Sequence, residues 1–159
     1  LLCLRNLKEK FPKIRYISVG DGEEKNNLQK LTKELKIEKE VSFLYKVEEN
    51  LKFSLLKNSN LFLMPAIQYK KSVEGFGISF VEAASYGVGS IGGHHGGIKD
   101  AIIDGETGLL CDGNKIDSIY ENIIKFFENE NYIKYGSNAF KFSENFSWNK
   151  IVKKYLNLI

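Results

Sequence analysis

The residues of this 159-residue chain best suited to chemistry are two glutamates, Glu74 and Glu82, on either side of a glycine turn. The turn, Gly75-Phe76-Gly77, follows an apolar run at 61–65 and precedes residues 78–86, whose apolar spacing predicts a helix. The amino end of a helix presents backbone N–H groups without intrahelical partners, and it therefore attracts anions. A carboxylate beside such a site would repel a bare phosphate, but it accepts hydrogen bonds from vicinal hydroxyl groups.

A phosphate site flanked by acids that can hold diols is what a nucleotide sugar requires. The two acids taken alone also have plainer interpretations. Glu74 fits equally well as a favourable charge at a helix start, worth only ~0.3–1 kcal/mol, and Glu82 as a mark of an exposed helix edge. The paired histidines, His94 and His95, lack a third ligand for a metal. They fit either a loop that lines a sugar pocket or simple exposure to solvent.

The composition is that of a globular domain with one core. Hydrophobic residues make up 43% of the sequence and charged residues 27%, and the net charge is +3. Acids are interspersed among the lysines, so no basic block predicts a nucleic-acid partner; the lysine excess would suit an anionic donor or a membrane surface. Cys3 and Cys111 match no disulfide framework or metal motif, which favours a reducing compartment. The sequence has no apolar run of membrane-spanning length and no signal peptide.

Strands and helices are predicted to alternate. Strands are expected at 14–19, 41–45, 61–64, 88–91 and 109–111. Helices are expected at 1–10, 23–36, 48–57, 78–86, 98–103, 116–127, 132–142 and 148–158, with Trp148 packing to anchor the last one. Such alternation predicts an α/β fold with a Rossmann-like, doubly wound parallel sheet. Ligands of these sheets bind beyond the carboxyl ends of the strands, where the loops at Gly20, Pro65 and Gly92 would gather.

A series of short motifs resembles the carboxyl-terminal half of glycosyltransferase family four, which comprises retaining enzymes of the GT-B fold. The motifs are Met64-Pro65, Glu74-Gly75-Phe76-Gly77, Glu82-Ala83, Gly96-Gly97, Asp104-Gly105 and Thr107-Gly108-Leu109-Leu110, preceded by Val19-Gly20-Asp21-Gly22 and Val41-Ser42-Phe43-Leu44. The resemblance covers nearly the whole chain. It implies that residues 1–159 are a nucleotide-sugar-binding domain lacking its first strand, and that an amino-terminal acceptor domain, absent from this sequence, belongs to the complete enzyme.

The resemblance also implies a role for each matching residue. Glu74 corresponds to the family's catalytic glutamate, which holds hydroxyls of the donor hexose, and Glu82 to the glutamate that binds the ribose diol. The backbone of Gly75, Phe76, Gly77 and Ile78 would meet the hexose and the diphosphate. Val47 corresponds to a position that contacts the nucleoside base. Lys52 corresponds to one that contacts the donor in some relatives, although a solvated helix lysine explains it as well.

The implied activity is transfer of a hexose, mannose or glucose, from a GDP- or UDP-linked donor to a lipid-linked or polysaccharide acceptor of the cell envelope, with retention. No cofactor is implied, and no metal, because the sequence has no Asp-x-Asp motif. The acceptor would bind through the missing amino-terminal domain, so the fragment alone would be inactive or nearly so. A cytoplasmic location with peripheral association at the inner membrane face is expected. In one departure from the family, Tyr45 stands where glycine is usual, which would reshape the base pocket.

Two other classes are alternatives. One is a non-catalytic nucleotide-sugar-binding subunit of the same fold, which the presence of both Glu74 and Glu82 disfavours. The other is an NAD-binding Rossmann oxidoreductase domain, because Gly20-Asp21-Gly22 follows a predicted strand and precedes a predicted helix. Against it, Lys25 occupies the place of the third fingerprint glycine, and no ribose-binding acid follows at the expected spacing.

Overall fold

The computed structural model of this chain describes residues 1–68 and 73–157. The chain forms two compact units, Leu1–Ser54 and Leu55–Ile159. Within the described residues every predicted strand and helix is present, and each pair of neighbouring strands is parallel. The α/β class with parallel sheets, predicted from the alternation of elements, is thereby confirmed.

The first unit is built around a two-stranded parallel sheet. Tyr16 to Val19 of one strand pair in register with Val41 to Leu44 of the other. The loops that follow these strands share one edge of the sheet, where the Gly20 N–H donates to the Leu44 carbonyl at 2.9 Å. The elements, in chain order, are α1 (Leu2–Lys10), β1 (Tyr16–Val19), α2 (Lys25–Glu34), β2 (Val41–Leu44) and the first residues of α3 (Glu49–Lys57).

The second unit contains a three-stranded parallel sheet in the order β3-β4-β5. The middle strand, β4, is buried along its whole length, as expected of a strand paired on both sides. The elements are β3 (Phe62–Met64), α4 (Ile78–Ser85), β4 (Ser90–Gly93), α5 (Ile98–Ala101), β5 (Gly108–Cys111), α6 (Ile116–Phe127), α7 (Asn131–Ser143) and α8 (Trp148–Leu156), with 3₁₀ turns at Glu128–Glu130 and Glu144–Phe146.

A buried cluster of the second unit lies close to the glycine turn. It is formed by α4, α5 and the residue that follows α5. Phe80, Ile98, Ala101 and Ile102 are buried together, and Phe76 packs against them. Phe80 also meets the Phe62 ring of β3 edge to face, with centroids 5.4 Å apart. The apolar face of α4 therefore fixes this helix, and with it the turn at its amino end.

One packing prediction is wrong. Trp148 was expected to anchor the last helix, but its side chain is 79% exposed, because the apolar face of α8 points outward. The predicted end of that helix, Leu158, lies outside the described residues. No helix within the described parts of the chain is long and apolar enough to cross a membrane.

Candidate active site

Residues 74–77, called the elbow here, lead into the amino end of α4. Gly77 is the N-cap residue of α4 and adopts a left-handed conformation, with φ +86°. A Cβ atom at this position would also lie 2.5 Å from the Phe80 ring. Both the backbone angle and the space therefore require glycine. The Phe80 N–H donates to the Gly77 carbonyl at 2.9 Å and closes the first turn of the helix.

The elbow leaves backbone amides available at the start of α4. Within the described residues, the N–H groups of Ile78 and Ser79 donate to no hydrogen-bond acceptor. These are first-turn amides, which an intrahelical carbonyl cannot satisfy. They add to the partial positive charge of the helix amino end, so the elbow can bind an anion such as a phosphate.

The side chain of Phe76 turns away from solvent and holds the elbow against the core. Its ring packs on the buried cluster around Phe80. It also lies 5.3 Å, centroid to centroid, from the ring of Phe146 in the 3₁₀ turn before α8. Because the ring is engaged in packing, the backbone of Phe76 is the part left to meet a ligand; that it does so stays a prediction.

The loop after β4 supports the elbow through direct backbone contact. The Gly97 N–H donates to the Glu74 carbonyl at 3.0 Å. A methyl group added at Gly96 or Gly97 would overlap the carbonyl oxygen of Glu74 or of Gly75, respectively. The two glycines are thus required for the close approach of two backbone segments. Sequence reasoning assigned this glycine-dense stretch to a loop and missed its supporting role.

The two acids are both half-buried and both lie in the second unit. The Glu74 carboxylate forms no ion pair or hydrogen bond with any residue that the structure describes. Its side chain lies against the other end of the elbow, with Cγ 3.7 Å from the place where a Cβ of residue 77 would be. Because no described residue pairs with this half-buried carboxylate, it is available to a ligand.

Glu82 lies on the solvent-facing side of α4. It follows Ile78 by one helical turn, so the two side chains share a face, and Ile78 is 69% exposed. The opposite face, with Phe80, Ala83 and Ala84, is buried. The structure thus places Glu82 on α4. The amino end of this helix directly follows the elbow, which contains Glu74.

The remaining predicted site residues belong to the first unit. Val47 is half-buried in the loop between β2 and α3. Lys52 is half-buried on α3, with its Nζ 5.0 Å from the centroid of the neighbouring Phe53 ring. Their roles in base and donor binding stay predictions.

The two histidines lie in the loop after β4, just before the supporting glycines. His94 is exposed and His95 is half-buried. Among residues 1–68 and 73–157, no three or more His, Cys, Asp or Glu side chains are grouped so that they could hold a metal ion.

The parallel α/β units have the GT-B fold. The chain belongs to the group 1 glycosyltransferases. The sequence pattern of the family described as "Glycosyl transferases group 1" matches residues 1–143, most of the chain.

Relatives with named activities agree with this membership. The N-acetyl-alpha-D-glucosaminyl L-malate synthase of Bacillus anthracis is 34% identical over 116 residues, which are 73% of this chain and 29% of that protein. The GDP-mannose-dependent alpha-(1-6)-phosphatidylinositol monomannoside mannosyltransferase of Mycolicibacterium smegmatis is 29% identical over 119 residues, 74% of this chain and 31% of that protein. The chain therefore spans about a third of the length of these relatives.

A solved structure shows the same fold. The pneumococcal O-GlcNAc transferase, crystallised with UDP and GlcNAc, superimposes with a TM-score of 0.82 at 17% sequence identity. The superposition covers 98% of this chain and 31% of that one. At this identity the likeness concerns the fold alone.

Proposed function

We propose that this protein is a retaining hexosyltransferase and that its donor, a nucleoside-diphosphate sugar, binds at the elbow before α4. Family membership supports a glycosyltransferase. The observation that carries the proposal is the elbow itself: among the described residues, neither the Ile78 and Ser79 amides that follow it nor the Glu74 carboxylate at its start has a hydrogen-bonding partner. Amides suit the diphosphate and the carboxylate suits sugar hydroxyls, so the two halves of the donor each have a matching group.

In this proposal the α4 amino end stabilises the leaving diphosphate. Negative charge grows on the diphosphate as the bond to the sugar breaks, and fixed amides and a helix dipole meet that charge without reorganising. Such electrostatic preorganisation is often the largest contribution to catalysis. If basic residues elsewhere in the complete enzyme share this charge, no metal and no cofactor are needed.

The two acids have different tasks. Glu74, at the elbow, accepts hydrogen bonds from hexose hydroxyls and stabilises the positive charge that develops on the sugar ring during front-face substitution with retention. Glu82, on the exposed side of α4, holds the two hydroxyls of the ribose. Gly75, Phe76, Gly77 and Ile78 contribute backbone, and Val47 and Lys52 contact the base and the donor.

The donor and acceptor are proposed from the relatives. The mycobacterial relative uses GDP-mannose by name, and the pneumococcal structure contains UDP and GlcNAc, so a GDP- or UDP-linked hexose, mannose or glucose, is proposed here. The acceptor is a lipid-linked or polysaccharide glycan of the cell envelope. It binds through an amino-terminal domain of the complete enzyme, in the cytoplasm at the inner membrane face.

The donor site is tested by titrating the complete protein with UDP and GDP. Glu82→Ala is expected to weaken nucleotide binding by at least about tenfold, because hydrogen bonds to a charged group contribute ~1.5–3 kcal/mol. Glu121→Ala, which removes an exposed carboxylate of α6, is the matched control and should bind like the wild type. Binding of NADH in preference to either nucleotide would instead support the oxidoreductase alternative.

The transfer step is tested by Glu74→Gln. This change keeps the size of the side chain and removes its charge, so kcat should fall by roughly a hundredfold or more. Nucleotide affinity should stay within about threefold of the wild-type value, less than 1 kcal/mol. Equal losses in turnover and affinity would argue against a role in the transition state. Nucleotide-sugar binding without any transfer by the wild type would support the non-catalytic alternative.

A further inference from the structure

The loop after β2 in the first unit carries an aromatic ring that is fixed from several directions. The Nζ of Lys25, in the first turn of α2, lies 3.5 Å from the centroid of the Tyr45 ring. The Gln29 side-chain amide, one turn further on, donates to the Tyr45 hydroxyl at 2.9 Å. The Phe43 ring lies parallel to it, at 7° and 6.3 Å between centroids. These contacts hold the tyrosine in one orientation.

The fixed ring stands at the edge of the sheet where ligands bind. Tyr45 follows the last residue of β2 directly and precedes Val47, the proposed base contact, by two residues. The loop after β1 lies at the same edge, where Asp21 is 4.0 Å from the Lys25 Nζ. In parallel α/β sheets this edge, beyond the carboxyl ends of the strands, is the ligand-binding edge. The ring therefore occupies space beside the proposed base position.

From this placement we propose that Tyr45 is a specificity-determining residue that narrows the base subsite, so that a uridine diphosphate donor is accepted in preference to a guanosine diphosphate donor. The inference rests on the proposed function. One face of the ring carries the Lys25 ammonium group, so this face is closed to a stacking base, and the ring acts as a wall. A purine has two fused rings and a pyrimidine has one, so a ring held in place by these contacts excludes the larger base first.

The two similar proteins named above differ in the nucleotide that their descriptions give. One is GDP-mannose-dependent by name, whereas the pneumococcal structure holds UDP. Membership of the family therefore does not decide the base. The Tyr45 hydroxyl accepts its hydrogen bond from Gln29. Its own hydrogen can be donated to a carbonyl of either base, so the proposed discrimination depends on the ring and not on the hydroxyl.

The experiment is a calorimetric titration of the complete protein and its Tyr45→Gly variant with UDP and with GDP. The wild type is expected to bind UDP at least about tenfold more tightly than GDP. Tyr45→Gly is expected to bring that ratio below about threefold, mainly by improving GDP binding. Tyr45→Phe is the control for the hydroxyl: it keeps the ring and should keep most of the discrimination.

A second variant guards against misfolding of Tyr45→Gly. Lys25→Gln keeps the tyrosine but removes the charge that fixes its ring, so the UDP:GDP ratio should fall while the unfolding transition stays close to that of the wild type. Equal affinity of the wild type for both nucleotides, or a ratio that neither Tyr45→Gly nor Lys25→Gln changes, would overturn this inference alone. The proposed function would survive that result as long as Glu82→Ala still weakened nucleotide binding by at least about tenfold. Failure of the wild type to bind either nucleotide would overturn both.

Discussion

Gly75 is a glycine that the fold itself does not require. No described atom lies within 4 Å of the position its Cβ would take, and its φ is outside the left-handed region. Gly77, two residues later, differs on both counts, with φ +86° and a Cβ that would touch the Phe80 ring. An open position in an otherwise constrained elbow is what close approach of a ligand to the backbone would need.

Gly75→Ala is therefore expected to separate binding from stability. The unfolding midpoint should stay near the wild-type value, while nucleotide affinity falls about tenfold, or ~1.4 kcal/mol, because the new methyl group would occupy the space proposed for the donor. Gly77→Ala is the comparison variant and should lower the unfolding midpoint through backbone strain. Thermal unfolding and nucleotide titration measure the two effects. If Gly75→Ala bound nucleotide as tightly as the wild type, the donor would not approach this backbone.

At the residue scale, side-chain type and spacing predicted the candidate acids but not how the elbow is held. Glu74 and Glu82 could be selected because a glycine turn and a helical pattern lie between them. The contact of Gly96 and Gly97 with the elbow carbonyls could not be predicted, since it joins backbone segments that lie apart in the sequence. Such contacts depend on how two loops pack against each other, and a local sequence pattern does not predict that packing.

At the scale of elements, the 3₁₀ turn before α8 anchors the elbow through aromatic packing. The Phe146 ring lies 5.3 Å from that of Phe76 and 5.1 Å from that of Phe142 on α7. Phe76 in turn packs on the core beneath α4. This cluster of three aromatic rings therefore connects the elbow to α7, and the geometry of the elbow should depend on it.

Phe146→Ala is expected to loosen the elbow as well as the fold. Because Phe146 is only half-buried, the free energy of unfolding should fall by about 2 kcal/mol, less than the ~3–5 kcal/mol of a fully buried phenylalanine. Nucleotide affinity should fall severalfold. Denaturant unfolding and nucleotide titration measure the two losses. Phe140→Ala is the control, because Phe140 lies on α7 and is 49% exposed. This variant should change the free energy of unfolding and the nucleotide affinity little. Lost stability with wild-type nucleotide affinity would show that this aromatic cluster does not position the elbow.

The position of β4 shows where local pattern and tertiary context disagree. The sequence predicted a strand at 88–91, whereas β4 runs from Ser90 to Gly93. The start is delayed because Val88 still donates its N–H to the Ala83 carbonyl at the end of α4. The strand extends into Gly92 and Gly93, which disfavour strands intrinsically, because Gly92 pairs with strands on both sides. Neighbouring strands override the propensity of the residues.

At the scale of the whole molecule, alternation of strands and helices predicted parallel sheets because a parallel pair needs a crossover, usually a helix. Both sheets keep their strands in chain order, which the alternation does not specify. The last helix, α8, was predicted correctly as an element but wrongly as a packed one. The spacing of its apolar residues identifies an apolar face, but this spacing does not indicate what packs against that face.

The apolar face of α8 is the clearest unpartnered surface within the described residues. Trp148, Val152, Tyr155 and Leu156 fall on one side of the helix and are all exposed, whereas Lys150, Lys153 and Lys154 lie on the other side. The chain spans only about a third of the length of its named relatives. We expect the proposed amino-terminal domain of the complete enzyme to cover this face.

Thiol labelling of the complete enzyme tests this expectation on a single helix. Leu156→Cys, on the apolar face, should react with a maleimide at least about tenfold more slowly than Lys153→Cys, on the lysine face, because burial reduces access to the thiolate. Peptide mass spectrometry separates these sites from Cys3 and Cys111. Equal rates would mean that the face is open. Protection that appeared only when anionic lipid vesicles were added would mean that a membrane, attracted by the three lysines, covers α8 instead of a domain.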